Sequence, residues 1–178
     1  GNYNNDIGLP LSILKSPEEN YQRCVYELGA SKKNDISYLV DICEPNMTAL
    51  LNVSEAHMES FGSFETLMST KEEIFSHLKT DQVVLNKDDK HFARWKKMNM
   101  SKKITTVSKL SNADYYFEKI DDEFFYISTP KGKFELSRKN SPKVLAINLL
   151  FSVALAMEAG AGVQSVKDGI KNFSGVQG

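Results

Sequence analysis

Four groups of residues have types and spacings that could do chemistry. The first is a lysine out of place. From Phe64 the apolar residues recur at Leu67, Met68, Ile74, Phe75 and Leu78, the spacing of an amphipathic helix. Lys71 falls midway between Phe64 and Leu78, inside that stripe. An amine there either snorkels out or serves a purpose that needs partial burial. The other three groups are acids, amides and a histidine just past apolar runs. Glu27 interrupts "VYELGA", the run "MTALL" leads into "NVSEAH" with Asn52, Glu55 and His57, and Asn86, Asp88 and Asp89 follow "QVVL". A Glu and a His brought to one edge suit a divalent cation, and carboxylate-rich surroundings favour Mg²⁺ or Mn²⁺. Taken singly, each has a plainer reading: a solvated strand-end acid, a structural histidine, and a helix cap in "NKDD".

Those residues need elements to hold them. The spacing predicts a capping box from Ser16 to Glu19, then a buried strand over "RCVYELG" closed by Gly29. A helix capped by Asn34 follows and ends before Pro45. "MTALLNV" is the next strand, and the helix carrying Lys71 runs over residues 64–79. "QVVLN" and "KKITTVS" are further strands, separated by a helix in "DKHFARWKKM". This alternation predicts an α/β fold with a mostly parallel sheet flanked by helices. "ADYYFEKI", "EFFYIST" and "GKFELS" then read as an added antiparallel meander with a turn at "TPKG", and two helices close the chain, roughly 142–160 and 163–173. Ligands of open parallel sheets bind beyond the carboxyl ends of the strands, where the polar groups fall.

The bulk properties exclude several classes. The chain has 178 residues, enough for one domain with a full core, and a net charge of -1 that argues against a nucleic-acid surface or a strong affinity for anionic lipid. "VLAINLLFSVALAMEAGAGV" carries Asn148 and Glu158 and reads as a core helix rather than a membrane span. The opening "GNYNNDIGLP" has neither basic nor apolar signal regions, so a cytoplasmic location is expected. Cys24 and Cys43 are expected to be buried free thiols. The amide-dense opening, ahead of "LPLSIL", suits Asx caps.

In order and spacing, "GNYNNDIGLPLSIL", "VYELGAS", "NVSEAHMESFGSFETLMSTKEEIF" and "VLNKDD" resemble the central, ATP-binding domain of the Mur ligases. The opening is most similar to members that add D-alanyl-D-alanine to UDP-N-acetylmuramoyl-tripeptide in peptidoglycan synthesis. The resemblance implies a P-loop NTPase-like fold, ATP and Mg²⁺ as cofactors, and reaction through an acyl phosphate. By the resemblance Glu27 and His57 match Mg²⁺ ligands, and Lys71 matches a lysine that family members carry as an N-carboxylate. Asn4 and Asn5 match amides near the γ-phosphate and the nucleotide-sugar substrate. Asn86, Asp88 and Asp89 match a segment near the nucleotide, and Asn148 an asparagine on the adenine side. Val144 and Leu145 stand where the family usually has a His-Asn pair. No G-x-x-x-x-G-K-[ST] occurs in the 178 residues. The resemblance therefore implies a central-domain fragment without its P-loop, N-terminal UDP-binding domain and C-terminal domain. Such a fragment is expected to be inactive alone and to have an exposed sheet edge prone to pairing with a second copy. Two other readings are a synthetase of the folylpolyglutamate or cyanophycin type, and a non-catalytic metal-binding or interaction module.

Overall fold

In the computed structural model, residues 3–16, 21–54, 58–110, 112–140 and 146–173 are described. The elements run α1 (Gly8–Lys15), α2 (Asp35–Cys43), β1 (Met47–Leu50), α3 (Met58–Phe61), α4 (Phe64–Glu72), β2 (Gln82–Asn86), α5 (Phe92–Met98) and β3 (Lys103–Ser108). They continue with β4 (Tyr115–Ile120), β5 (Phe124–Thr129), β6 (Gly132–Ser137), α6 (Ala146–Glu158) and α7 (Val163–Asn172). The strands form one mixed six-stranded sheet in sequential order, β1 to β6. The described chain divides into two compact units, one holding residues up to Val83 with Ser101–Lys103, the other Val84–Met100 and the residues from Ile104 onward.

In the first unit, the opening amides build a helix start. Asn5 Oδ1 accepts from the Gly8 N–H at 2.7 Å and the Ile7 N–H at 3.2 Å, satisfying donors that no helical carbonyl reaches. Pro10 follows within the first turn, where a missing N–H costs nothing. Leu9 is fully buried. Ser16, half of the expected capping box, is placed otherwise. Ser16 ends α1 rather than opening a helix, and its hydroxyl pairs with the Tyr26 hydroxyl at 2.8 Å. Glu19 lies outside the described residues.

The strand expected over residues 23–29 is absent, and Val25 is 82% exposed. A strand needs a neighbouring ladder, and here the segment's bonds run instead to the α1 region: Tyr26 to Ser16, and the Gly29 N–H to the Asn4 carbonyl at 2.7 Å. Cys24, in the same segment, is exposed, and Cys43, the last residue of α2, is only partly covered; both are free thiols but not buried ones. Helix α2 starts where the sequence placed it, but Asn34 is left-handed (φ 70°) and its side chain caps nothing. The capping carboxylate is Glu73, which accepts from the Asn34 N–H at 2.9 Å and the Ser37 N–H at 3.1 Å. Glu44, in αL with its N–H on the Val40 carbonyl, closes the helix ahead of Pro45.

Helix α4 is shorter than the periodicity suggested. Ser63 caps it, its hydroxyl accepting from the Thr66 N–H, and the chain tightens into a 3₁₀ turn over Glu73–Phe75. The stripe therefore stops at Phe75, and Leu78, beyond the last turn, is 99% exposed. The buried face is Leu67, Met68, Thr70, Glu72 and Phe75.

The second unit contains the meander. β3 and β4 pair in parallel over only two residue pairs, Val107↔Tyr115 and Ser108↔Tyr116, because the short connection leaves no room for a full crossover. β4, β5 and β6 are antiparallel as the sequence suggested, with a bulge between Phe117 and Lys119. The β5–β6 turn is the expected Thr-Pro-Lys-Gly: Thr129 pairs with Gly132, which takes φ +121°. Tyr115 is fully buried and donates to Glu158 at 2.8 Å, tying β4 to α6; burial, with the adjacent carboxylate, pushes its phenol far up. Trp95, Ile127, Leu150 and Phe151 are among the large residues of this core. Among the described residues no helix is long and apolar enough to cross a membrane.

Candidate functional site

Three of the residues singled out from the sequence meet in the first unit. Asn4 is held at both ends: its carbonyl takes the Gly29 N–H at 2.7 Å, and its Nδ2 donates to Glu27 Oε1 at 3.1 Å. Glu27 is exposed and sits in a segment without regular secondary structure rather than at the end of a strand. Lys71, in the last turn of α4, is half-buried. Burial pushes its amine below the ordinary lysine value, and the Glu27 carboxylate pulls the other way. Lys71 thus lies within electrostatic reach of Glu27. The amine is only partly solvated, and burial lowers the cost of its neutral form.

Asn5 is spent on the start of α1 through its Oδ1. Asn52 is exposed just past β1. Glu55 and His57 lie outside the described residues, as do Val144 and Leu145, so the pairing of Glu27 with His57 is not part of the described geometry. Among the described residues no three acids, histidines or cysteines cluster as a metal group. Glu27 nevertheless fits Mg²⁺ by its chemistry. It is an exposed hard-oxygen donor fixed by a neighbouring amide, and Mg²⁺ keeps most of its waters and takes only one or two carboxylates.

The segment after β2 behaves as a clasp within the second unit. Asn86 is 7% exposed and its Oδ1 accepts from the Asp88 N–H at 3.0 Å. Asp88 takes the Ser108 hydroxyl at 2.5 Å and the Lys109 N–H at 2.6 Å, joining the ends of β2 and β3. Asp89 accepts from the His91 N–H at 2.8 Å in the turn ahead of α5, whose N-cap is His91 itself without a side-chain cap, so "NKDD" forms a turn rather than the cap. Asn148 is exposed in the first turn of α6, its carbonyl taking the Ser152 hydroxyl. Sequence reasoning overlooked Glu72 and Glu73. Glu72 is 5% exposed beside Lys71, and its spacing from Met68 and Phe75 placed it on the buried face. No sequence signal links Glu73 to the start of α2.

The profile of the Mur ligase middle domain matches residues 1–156. The chain belongs to the Mur ligase family. Its Mur ligase relatives include the UDP-N-acetylmuramoyl-tripeptide–D-alanyl-D-alanine ligases of Haemophilus influenzae, 32% identical, and Escherichia coli, 31% identical. Each alignment covers all of this chain and 39% or 40% of the relative. The chain thus spans about two fifths of the length of these curated relatives. A crystal structure of MurF from Acinetobacter baumannii superposes with a TM-score of 0.87 at 26% identity, over 100% of this chain and 40% of that one. The sheet and helices described above are accordingly those of a Mur ligase middle domain, and the family is one of ligases.

Proposed function

We propose that the protein carrying this domain is an ATP-dependent ligase that joins D-alanyl-D-alanine to UDP-N-acetylmuramoyl-tripeptide in the cytoplasm. The observation that carries the reading is the half-buried Lys71 amine within electrostatic reach of Glu27, in a chain whose 31% and 32% identical relatives bear that activity by name. In this reading the tripeptide carboxylate attacks the γ-phosphorus of ATP, the β–γ bridging bond breaks, and an acyl phosphate and ADP form. The amine of D-alanyl-D-alanine then adds to the acyl carbon. The tetrahedral intermediate expels inorganic phosphate, and the amine proton goes to solvent or a base.

Phosphoryl transfer asks a protein mainly for positioning and charge neutralisation. Glu27, joined by His57, would hold Mg²⁺, which when bound offsets charge on the transferring phosphoryl oxygens. Lys71 lowers the cost of its own neutral form by burial. The cationic amine would lose one proton, add CO₂ and lose a second, so that a half-buried cation becomes an anion within electrostatic reach of Glu27. Asn4 orients Glu27, and Asn5 fixes α1 behind it. Asn86, Asp88, Asp89 and Asn148 are assigned to the nucleotide side. For Asp88 the support is that its clasp immobilises the segment following β2.

The test is direct. The purified complete gene product, given ATP, Mg²⁺, UDP-N-acetylmuramoyl-tripeptide and D-alanyl-D-alanine, is expected to yield the pentapeptide by mass spectrometry. Omitting any one component should abolish it. Product formation with L-glutamate but not D-alanyl-D-alanine would favour a folylpolyglutamate-type synthetase, and no product with any amine a non-catalytic module.

A further inference from the structure

Two glycines of the first unit are places where another chain segment occupies the space of a side chain. A Cβ on Gly8 would lie 2.6 Å from the Tyr3 Cα, so this glycine admits the backbone ahead of Asn4. A Cβ on Gly29 would lie 2.9 Å from both Cγ and Nδ2 of Asn4 and 3.0 Å from its Oδ1. Its three nearest neighbours are therefore all at the tip of the one side chain that donates to Glu27. Gly29 does not have the positive φ that would itself demand glycine. Backbone geometry therefore leaves this position open to alanine, and the nearest obstacle is the Asn4 amide.

We propose that Gly29 is a positioning residue for the Glu27 carboxylate, acting through Asn4. Its bare Cα lets the Asn4 amide lie against residues 27–29, with the Gly29 N–H on the Asn4 carbonyl and Asn4 Nδ2 on Glu27 Oε1. The amide commits one carboxylate oxygen and sets the plane of the other. Orienting partners of this kind commonly control metal affinity 10–100-fold. The inference rests on the reading of Glu27 as a divalent-cation ligand given above.

The alanine variant of Gly29 separates positioning from plain structure. Its Cβ meets the tip of a side chain rather than backbone, so the fold is expected to adjust by turning the Asn4 amide away, at little cost in stability. Truncating Asn4 to alanine removes the three atoms in conflict. The two substitutions should therefore be non-additive.

The experiment is a double-mutant cycle in the complete gene product, with Mn²⁺ alone as the probe, read by the free-ion electron paramagnetic resonance signal and accompanied by thermal melts. Gly29→Ala and Asn4→Ala are each expected to weaken Mn²⁺ binding about tenfold or more. The double variant should bind no more weakly than Asn4→Ala, and the melting midpoint of Gly29→Ala should stay close to wild type. Mn²⁺ affinity unchanged in Gly29→Ala, or a double variant losing the product of the two single effects, would overturn the proposal. Should Gly29→Ala fail to fold, the double variant carries the test: binding equal to Asn4→Ala supports the role, and weaker binding refutes it. A wild-type protein with no ligase activity would sink the proposed function while leaving this cycle readable in bound Mn²⁺.

Discussion

Replacing Lys71 by alanine in the complete gene product is expected to lower turnover about 10²–10³-fold, the usual cost of removing one preorganised electrostatic group, about 2.7–4 kcal/mol. The expectation follows from where the amine sits. Lys71 is held half-buried by α4, its basicity is lowered by that burial, and the Glu27 carboxylate is its electrostatic partner. A carbamate formed there contributes an anion that alanine cannot replace. Formate or acetate, small enough to enter the vacated space, should restore part of the rate in Lys71→Ala and none in wild type. A lysine that merely covers apolar surface gives the opposite result: near-normal turnover, no response to formate, and a stability change within about 0.5 kcal/mol. Steady-state rates of the two proteins, with and without formate, decide between them.

The largest effect on stability is expected at Trp95. It is the one tryptophan of the chain, fully buried in the second unit, and its carbonyl takes the Asn99 side-chain amide at 2.9 Å. Trp95→Ala removes the largest side chain of that core, and truncations of this kind cost about 3–5 kcal/mol. For a chain of this size that corresponds to a fall of roughly 6–20 °C in melting midpoint. Leu78→Ala is the matched control. The apolar periodicity of α4 places Leu78 in the core, whereas the structure leaves it 99% exposed, so the substitution should change stability by less than about 0.5 kcal/mol. Thermal denaturation of the 178-residue chain followed by circular dichroism checks both. Equal losses at the two positions would contradict the boundary of α4 at Glu72 and the turn that follows it.

The contrast between these positions shows what a sequence carries. Lys71 was legible because its misfit is local: one cation in a stripe of three-and-four spacing, within a single helix. The strands β1, β2 and β3 and the meander were legible for the same reason, being short apolar runs bounded by turn residues. Leu78 was misread because periodicity does not register where a helix tightens and stops. The segment around Val25 was misread for a different reason: strand formation depends on a neighbour, which lies elsewhere in the chain. Glu73 capping the start of α2 joins residues 39 apart, and Asn4 reaching Glu27 joins residues 23 apart. No local pattern encodes either contact. The Asn4–Glu27 pairing was nonetheless within reach once the chain resembled a family, since both positions belong to its recognisable motifs. What the resemblance did not give was the reason they fit together, which lies in the missing Cβ of Gly29.

The central claim is that the complete gene product couples ATP cleavage to amide formation by way of an acyl phosphate. It is tested most directly by following one oxygen atom. UDP-N-acetylmuramoyl-tripeptide labelled with ¹⁸O in its reacting carboxylate is incubated with ATP, Mg²⁺ and D-alanyl-D-alanine, and the released phosphate is analysed by mass spectrometry. The account requires one ¹⁸O to pass from carboxylate to phosphate for each amide formed, because the bond that attaches the carboxylate oxygen to phosphorus is the one the phosphate keeps when it leaves. Pentapeptide formed without label in the phosphate, or ATP cleaved to AMP with label in the nucleotide, would contradict it.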